Sequence, residues 1–288
     1  MKSTRFFAFL TVSAAGMALP AFSQISISDF STASGLQLNG NAAIVGPALR
    51  LTPANFNQAG SAFSTSAITL GANFSFSSFF TFQITGSGGS ADPDGLGADG
   101  LVFVVQTNAN NVGGNGGGMG YLGVPNSVGA EFDTWDNGGG FGDPNGNHVN
   151  FDFGGSFALT GAVPIANRMN NGNIWSAWVD YNGATNTLEL RLVESSVIRP
   201  VTPLISTNVN LATVLGTTNA FVGFTSGTGA AFGNHDILSW EFRNTFSPIV
   251  TPPGQGAVPE PSTYGLIGAA LLAGIIARRK FRQNNAGL

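Results

Sequence analysis

The sequence predicts an all-β body folded as an antiparallel two-sheet sandwich, and three observations carry that prediction. Apolar and polar residues alternate in a series of short runs: "FSFSSFFTFQI" (74–84), "LVFVVQ" (101–106), "WSAWVDYN" (175–182), "TLELRLV" (187–193), "AFVGFT" (220–225) and "ILSWEF" (237–242). Clusters of Gly, Asn, Ser and Pro separate the runs, and residues 24–247 have no helical periodicity. Phe occurs 24 times, which suits a broad core between two sheets.

Within a run, side chains point alternately to the two faces of a strand. In "TLELRLV", Leu188, Leu190 and Leu192 share one face, and Glu189 and Arg191 share the other. The 288 residues, 43% of them hydrophobic, are enough for one large domain with a substantial core. Charged residues make up only 9% of the chain. Between residues 24 and 256 there are five Arg against fourteen Asp and Glu, a net charge near −9. That surface repels phosphate backbones, which argues against a nucleic-acid partner. The chain has no Cys, so disulfides contribute nothing, and the core and any bound metal must hold the fold.

Both ends read as addresses. Residues 1–23, "MKSTRFFAFLTVSAAGMALPAFS", carry Lys2 and Arg5, a short apolar run and small residues around Ala21 and Ser23. This is the pattern of a secretory signal peptide cut after Ser23. Residues 248–258 read as a Pro/Gly linker, and residues 259–288 as a separate tail. The tail has an apolar helical stretch, Tyr264–Ala277, followed by Arg278, Arg279, Lys280 and Arg282. A basic cluster after an apolar helix is a stop-transfer pattern, although the stretch is short beside the roughly 20 residues a bilayer needs. Val258–Pro259–Glu260–Pro261, the apolar helix and the basic end together resemble the PEP-CTERM sorting signal of Gram-negative bacteria. The resemblance implies an exosortase-type processing enzyme as partner and export to the cell surface or extracellular matrix. Membrane contact would be made only through the tail.

The most informative stretch is "GAEFDTWDNGGGFGDPNGNHVNFDF" (129–153). It gathers Glu131, Asp133, Asp136, Asn137, Asp143 and His148, one of two histidines, in a chain poor in charge. Glu131 and Asp133 are two residues apart and share a strand face, with Phe132 on the other. Adjacent carboxylates repel unless a cation or a proton sits between them. A Gly-rich loop follows and can aim several oxygens at one point. Carboxylates with an amide oxygen suit calcium, and a histidine added to carboxylates suits a transition ion such as manganese. The stretch could hold two adjacent cations, or it could be a solvated polar turn.

"EFDTWDN…DPNGNH" resembles the metal loop of the legume-type (L-type) lectins, and the resemblance runs through most of the body. "ADGLVFVVQ" (98–106) matches the strand that opens with the sugar-binding Asp, and "GGGMGYLG" (116–123) matches the Gly-rich sugar loop. "FVGFTSGTGAAFGNHDILSWEF" (221–242) matches the specificity loop and closing strand, while "LRLT" and "AGSAF" fit the first strands. The resemblance implies a jelly-roll sandwich of the concanavalin type, and a calcium-dependent carbohydrate-binding protein rather than an enzyme. Its partners would be glycans or exopolysaccharide.

Carried over by position, Glu131 and His148 would bind the transition ion, and Asp133 and Asp143 would bridge both ions. The Trp135 carbonyl and the Asn137 side chain would bind calcium. Asp99 and Asn137 would bond sugar hydroxyls, helped by the Gly117 amide and the backbone at Ala230 and Ala231, with the Trp135 ring against the pyranose. The resemblance also implies a cis peptide between Ala98 and Asp99. The gap from Asn137 to Asp143 is longer than the family's, because "GGGFG" intervenes. Asp136 and Asp143 therefore both remain open for the bridging role, with the spacing to His148 favouring Asp143. His235 reads as structural.

Two other functions stand beside the lectin reading. Glucan hydrolases of the same fold carry Glu-x-Asp-x-x-Glu, and such chemistry needs two carboxyl groups at a set separation. Here Asp136 stands at the third position, a methylene short. The other alternative is a surface or matrix structural protein whose lectin fold binds no sugar.

Overall fold

The computed structural model describes residues 24–250, apart from 114 and 115. Two eight-stranded antiparallel sheets face each other. The front sheet runs Val163–Pro164, His148–Phe153, Ser127–Asp133, Gly100–Gln106, Asn219–Gly227, Ala59–Ser64, Leu36–Gly40, with Ile68–Thr69 pairing on Asn219–Gly227. The back sheet runs Ile205–Asn208, Thr187–Glu194, Ile174–Asn182, Phe76–Gly89, Ala231–Arg243, Ala48–Thr52, Ala43–Val45, with Gln24–Ile27 also pairing on Ala231–Arg243. The six alternating runs lie on strands, the first of them from Phe76 onward, and "LRLT" and "AGSAF" lie on Ala48–Thr52 and Ala59–Ser64, which follow Gln24–Ile27, Leu36–Gly40 and Ala43–Val45. Among the described residues the only α-helix is the single turn Leu211–Leu215, alongside three short 3-10 turns.

Phenylalanine builds the core. Phe76, Phe80, Phe82, Phe103, Phe132, Phe224 and Phe242 are buried between the sheets with Trp240. Their rings meet edge-on, as Phe80–Phe224 at 4.9 Å and Phe80–Phe132 at 5.6 Å, or stacked, as Phe80–Phe103 at 5.7 Å. Burying each such ring contributes about 1.5–3 kcal/mol, so the sandwich holds without disulfides.

A second apolar layer covers the outer face of the front sheet, where Met119 and Tyr121 pack on Phe63, Val102 and Val104. The Tyr121 ring sits about 3.0 Å from where a Cβ of Gly129 would stand, so only glycine admits the tyrosine there. This cover explains why the strand Ser127–Asp133 is buried on both faces.

The outer face of the back sheet departs from simple alternation. Arg191 faces outward as expected, yet it is buried. It bonds Glu189 at 2.9 Å and the Pro200 carbonyl at 2.9 Å, which holds the 195–204 segment against the sheet.

Packing continues past the expected body edge at 247, to Ile249. Its side chain is buried against Phe79 and Trp178, and its carbonyl accepts from Trp178 Nε1 at 2.8 Å. The packed body thus reaches at least Ile249, because an apolar side chain is anchored there before the Pro-rich stretch begins. A chain ending at Phe246 should be about 2–4 kcal/mol less stable than one ending at Val250, from the lost burial and hydrogen bond. Urea unfolding of the two checks this; equal midpoints would return the edge to 247. The expected signal peptide (1–23) and the expected sorting tail (259–288) lie outside the described residues. Among the described residues, no helix is long and apolar enough to cross a membrane.

Candidate functional site

The strand Ser127–Asp133 sends Val128, Ala130 and Phe132 into the core, leaving Glu131 and Asp133 on the outer face. Its neighbour His148–Phe153 places His148 opposite Asp133 and Asn150 opposite Glu131. One ligand-capable atom from each of Glu131, Asp133 and His148 falls within 4.8 Å of the others. Asp143 joins them: His148 Nε2 lies 3.5 Å from both Glu131 Oε1 and Asp143 Oδ1. Asp136 is directed elsewhere, with its Oδ1 accepting from the Gly138 amide at 2.7 Å. Of the two candidates, the structure therefore brings Asp143 to the cluster. The absence of a second glutamate leaves the hydrolase pattern without its partner, since Asp136 is engaged in that turn.

The histidine is set up as a ligand. His148 Nδ1 is 2.8 Å from the Asn145 carbonyl, which can only accept, so in the neutral ring Nδ1 carries the proton. Nε2 then presents its lone pair to the carboxylates, and it has no hydrogen-bond partner although fully buried. This tautomer, fixed by a carbonyl behind the ring, is the one a metal-bound histidine uses.

The carboxylates are crowded and dry. Burial pushes the Glu131 carboxyl up to about 7; the Asp143 charge adds to this, while a hydrogen bond from Asp152 opposes it. Burial also pushes Asp133 well above the carboxylate range, reinforced by Glu131 and Asp143. Asp143 is raised by burial and Asp152 by burial and the Glu131 charge. Such a set suits a divalent cation, which would restore the ionised forms. Two amides brace it: Trp135 N donates to Asp133 Oδ1 and Asn137 N to Asp143 Oδ2, both at 2.6 Å.

These shifts have a sign. Glu131 titrates near 7 in the folded chain against an ordinary 4.5, so between those values the folded state holds the proton more tightly. Metal-free protein should therefore lose stability as pH rises from 5 to 8. The loss from Glu131 alone should be about 3 kcal/mol, or roughly 10 °C in Tm. Metal-loaded protein should show no such fall. Melting curves at several pH values, with metal and with chelator, check this; chelated protein more stable at pH 8 than at pH 5 would contradict it.

Next to the cluster lies a second convergence. The Ala98–Asp99 peptide is cis. Asp99 is buried, its Oδ2 has no partner, and burial pushes its carboxyl up to about 7. Its amide donates to the Gly227 carbonyl at 3.3 Å, and its carbonyl accepts from Thr134 N at 2.8 Å, just after Asp133. A Cβ on Gly117 would stand 2.5 Å from Asn137 Nδ2, so glycine is required for the loop's approach to Asn137. Asn137 Oδ1 is also buried and unpartnered. Gly117 and Asn137 thus come together, and Gly229 lies between Asp99 and the same glycine loop, its Cβ position 3.8 Å from both Asp99 Oδ2 and Gly116 Cα. Ala230 is exposed at the rim, beside Gly229. Ala231 is buried in the sheet opposite Gly89. Trp135 is half-buried and lies outside the core clusters, so its ring is not core packing.

Sequence reasoning missed two groups. Asp152 is fully buried and lies beside Glu131; the alternation of "HVNFDF" already put it on the face of His148. The hairpin of Ala91–Asp92 and Gly95–Leu96 clamps the loop between Asp133 and His148 from outside. Asp92 accepts from Asp136 N at 3.0 Å, and Asp94 from Gly146 N at 2.6 Å. Arg168 ties Asp92 at 3.4 Å to the Thr134 carbonyl at 3.1 Å.

Comparisons with known proteins agree with this fold. The Legume lectin domain profile matches residues 23–253, and the PEP-CTERM protein-sorting motif matches 257–280. The chain is 33% identical over 221 residues to the L-type lectin-domain containing receptor kinase VIII.1 of Arabidopsis thaliana, covering 74% of this chain and 28% of that protein. The chain thus spans little more than a quarter of that kinase. Among solved structures it is similar to basic winged bean lectin with Tn-antigen, at 28% identity and TM-score 0.64, covering 77% of this chain and 98% of that one. The Bauhinia forficata lectin in complex with GalNAc shares the fold at TM-score 0.65 and 23% identity, over 77% and 98% of the two chains. The chain belongs to the legume lectin domain family, a carbohydrate-binding family, and carries a PEP-CTERM sorting motif after the lectin domain.

Proposed function

We propose that the chain is an exported, calcium-dependent lectin. Glu131, Asp133, Asp143 and His148 hold a transition ion such as manganese. Asp133, Asp143, Asn137 and the Trp135 carbonyl hold calcium. When bound, the ions neutralise the buried carboxylates and so favour one arrangement of the loop. Asp99 and Asn137 then accept from and donate to sugar hydroxyls beside the Gly117 amide and the Ala230–Ala231 backbone, with the Trp135 ring as an apolar platform.

The observation that carries this reading is the pair of buried, unpartnered oxygens, Asp99 Oδ2 and Asn137 Oδ1, beside an acidic cluster with a bare histidine nitrogen. Buried polar atoms without a protein partner call for another one, an ordered water, an ion or a ligand, and here two of them lie beside the acidic cluster. The matched lectins have GalNAc and Tn-antigen in their structures, which supports a hexose-type ligand here. The sorting motif supports release at the cell surface or into an extracellular matrix through an exosortase-type enzyme, with exopolysaccharide as ligand. Affinity at such a shallow site is modest, so many copies on a surface raise avidity. A glycan array with calcium and manganese, repeated with chelator, tests the reading. Binding to a defined subset only with metal is expected; no binding under either condition would favour a structural matrix protein.

A further inference from the structure

His235 is fully buried at the end of the core nearest Asp99, and the metal loop does not use it. Its Nδ1 lies 2.7 Å from Thr52 Oγ1, and Thr52 Oγ1 lies 3.1 Å from Ser226 Oγ. Ser226 Oγ lies 2.7 Å from the carbonyl of Gly100, the residue after Asp99. His235 and Thr52 sit on the back sheet, and Ser226 and Gly100 on the front sheet. The hydrogen bonds therefore form a polar chain across the core, and all three side chains are fully buried.

Counting protons gives the chain a direction. The Gly100 carbonyl only accepts, so Ser226 donates its single proton there. Ser226 then accepts from Thr52, whose proton is thereby used. Thr52 in turn accepts from His235, so the ring carries its proton on Nδ1. Burial keeps the ring neutral, lowering its pKa to about 3. A histidine that only filled space would be better replaced by an apolar side chain, since burying polar groups costs free energy.

We propose that His235, Thr52 and Ser226 are positioning residues for Asp99, acting through the Gly100 carbonyl; this rests on the reading of Asp99 as a sugar ligand. The relay adds a third tie to this backbone. The Asp99 amide is held by the Gly227 carbonyl, and its carbonyl by Thr134 through both the amide and, at 3.3 Å, the Oγ1 hydroxyl, all from the front-sheet side. The Gly100 carbonyl is instead held by a side chain whose orientation is set from the opposite sheet. The carboxylate is thus fixed on two sides against a sugar whose contacts tolerate little displacement.

The test uses the full chain loaded with calcium and manganese. Asparagine at 235 places an N–H near the Nδ1 position, whereas glutamine places one near Nε2. Affinity is read with GalNAc, galactose and fucose as probes, and hydrogen exchange is read at the Asp99 amide. Thr52→Val and His235→Gln should weaken sugar binding about tenfold, as expected for orphaning one buried partner, and speed exchange at Asp99. Metal affinity should stay within about twofold, because the relay touches no ligand of the cluster. Thr52→Ser and His235→Asn should restore both readouts. Unchanged exchange in Thr52→Val, or equal behaviour of His235→Gln and His235→Asn, would overturn the relay. If the wild type binds none of the probes while Asp99 exchange responds as expected, the sugar reading fails and the relay stands. Nitrogen-15 spectra of the wild type decide independently of folding in the variants: an Nδ1–H ring is expected, and an Nε2–H ring would overturn the proposal.

Discussion

Asp133→Ala should abolish metal loading and sugar binding together. Asp133 lies within reach of Glu131 and His148, and its Oδ1 accepts from the Trp135 amide. Removing it takes away the ligand proposed to be shared by both ions and leaves Glu131 and Asp143 without their common counter-charge. Metal affinity should fall by more than about a hundredfold, beyond the usual effect of disturbing a supporting group. The variant should nonetheless fold. With one buried carboxylate gone, the metal-free Asp133→Ala chain should be more stable at pH 8 than the metal-free wild type. Calorimetry with calcium and manganese, paired with melting in chelator, checks both halves. Wild-type calcium binding by the variant would show that the cluster is not the metal site.

Asp99→Ala should separate the two activities that Asp133→Ala removes together. Asp99 is not within the metal cluster; its influence there is the repulsion that helps raise the Asp133 carboxyl. Its removal should leave both ions bound and slightly favour their uptake at acid pH, since Asp133 then ionises more readily. Sugar affinity should fall by about a hundredfold or more, the loss expected when two hydrogen bonds to a charged group disappear. Titration of metal and then of sugar into the same sample decides it. Sugar binding by Asp99→Ala at wild-type affinity would place the binding surface elsewhere.

How much of this was legible in the sequence depended on the range of the interaction. Strand alternation is local, so runs such as "LVFVVQ" and "TLELRLV" identified strands directly. The pairing of Glu131 with Asp133 followed from their two-residue spacing, and Asp152 was readable by the same rule on "HVNFDF" but was not drawn out. The resemblance supplied Asp99 and Gly117, which no spacing rule connects to Asn137. Long-range partners were not legible. Asp92 meets the amide of Asp136 across 44 residues, and His235 meets Thr52 across 183. Both depend on sheet order and register, which alternation alone does not specify. Ile249 was hidden for a related reason: it sits before a Pro-rich linker, and its anchor, Trp178, is 71 residues away. Asp143 could be separated from Asp136 only once the loop was folded, when its carboxylate came within 3.5 Å of His148.

Metal in the Glu131–Asp133–Asp143–His148 cluster is proposed to make the Asp99–Asn137 site competent for sugar. Calorimetric titration of a glycan selected by the array tests this most directly, in one preparation taken through three states: metal-loaded, stripped with chelator and dialysed, then reloaded. Sugar binding is expected in the first state, none in the second and full recovery in the third. Binding of the same glycan to the stripped protein at unchanged affinity would contradict it.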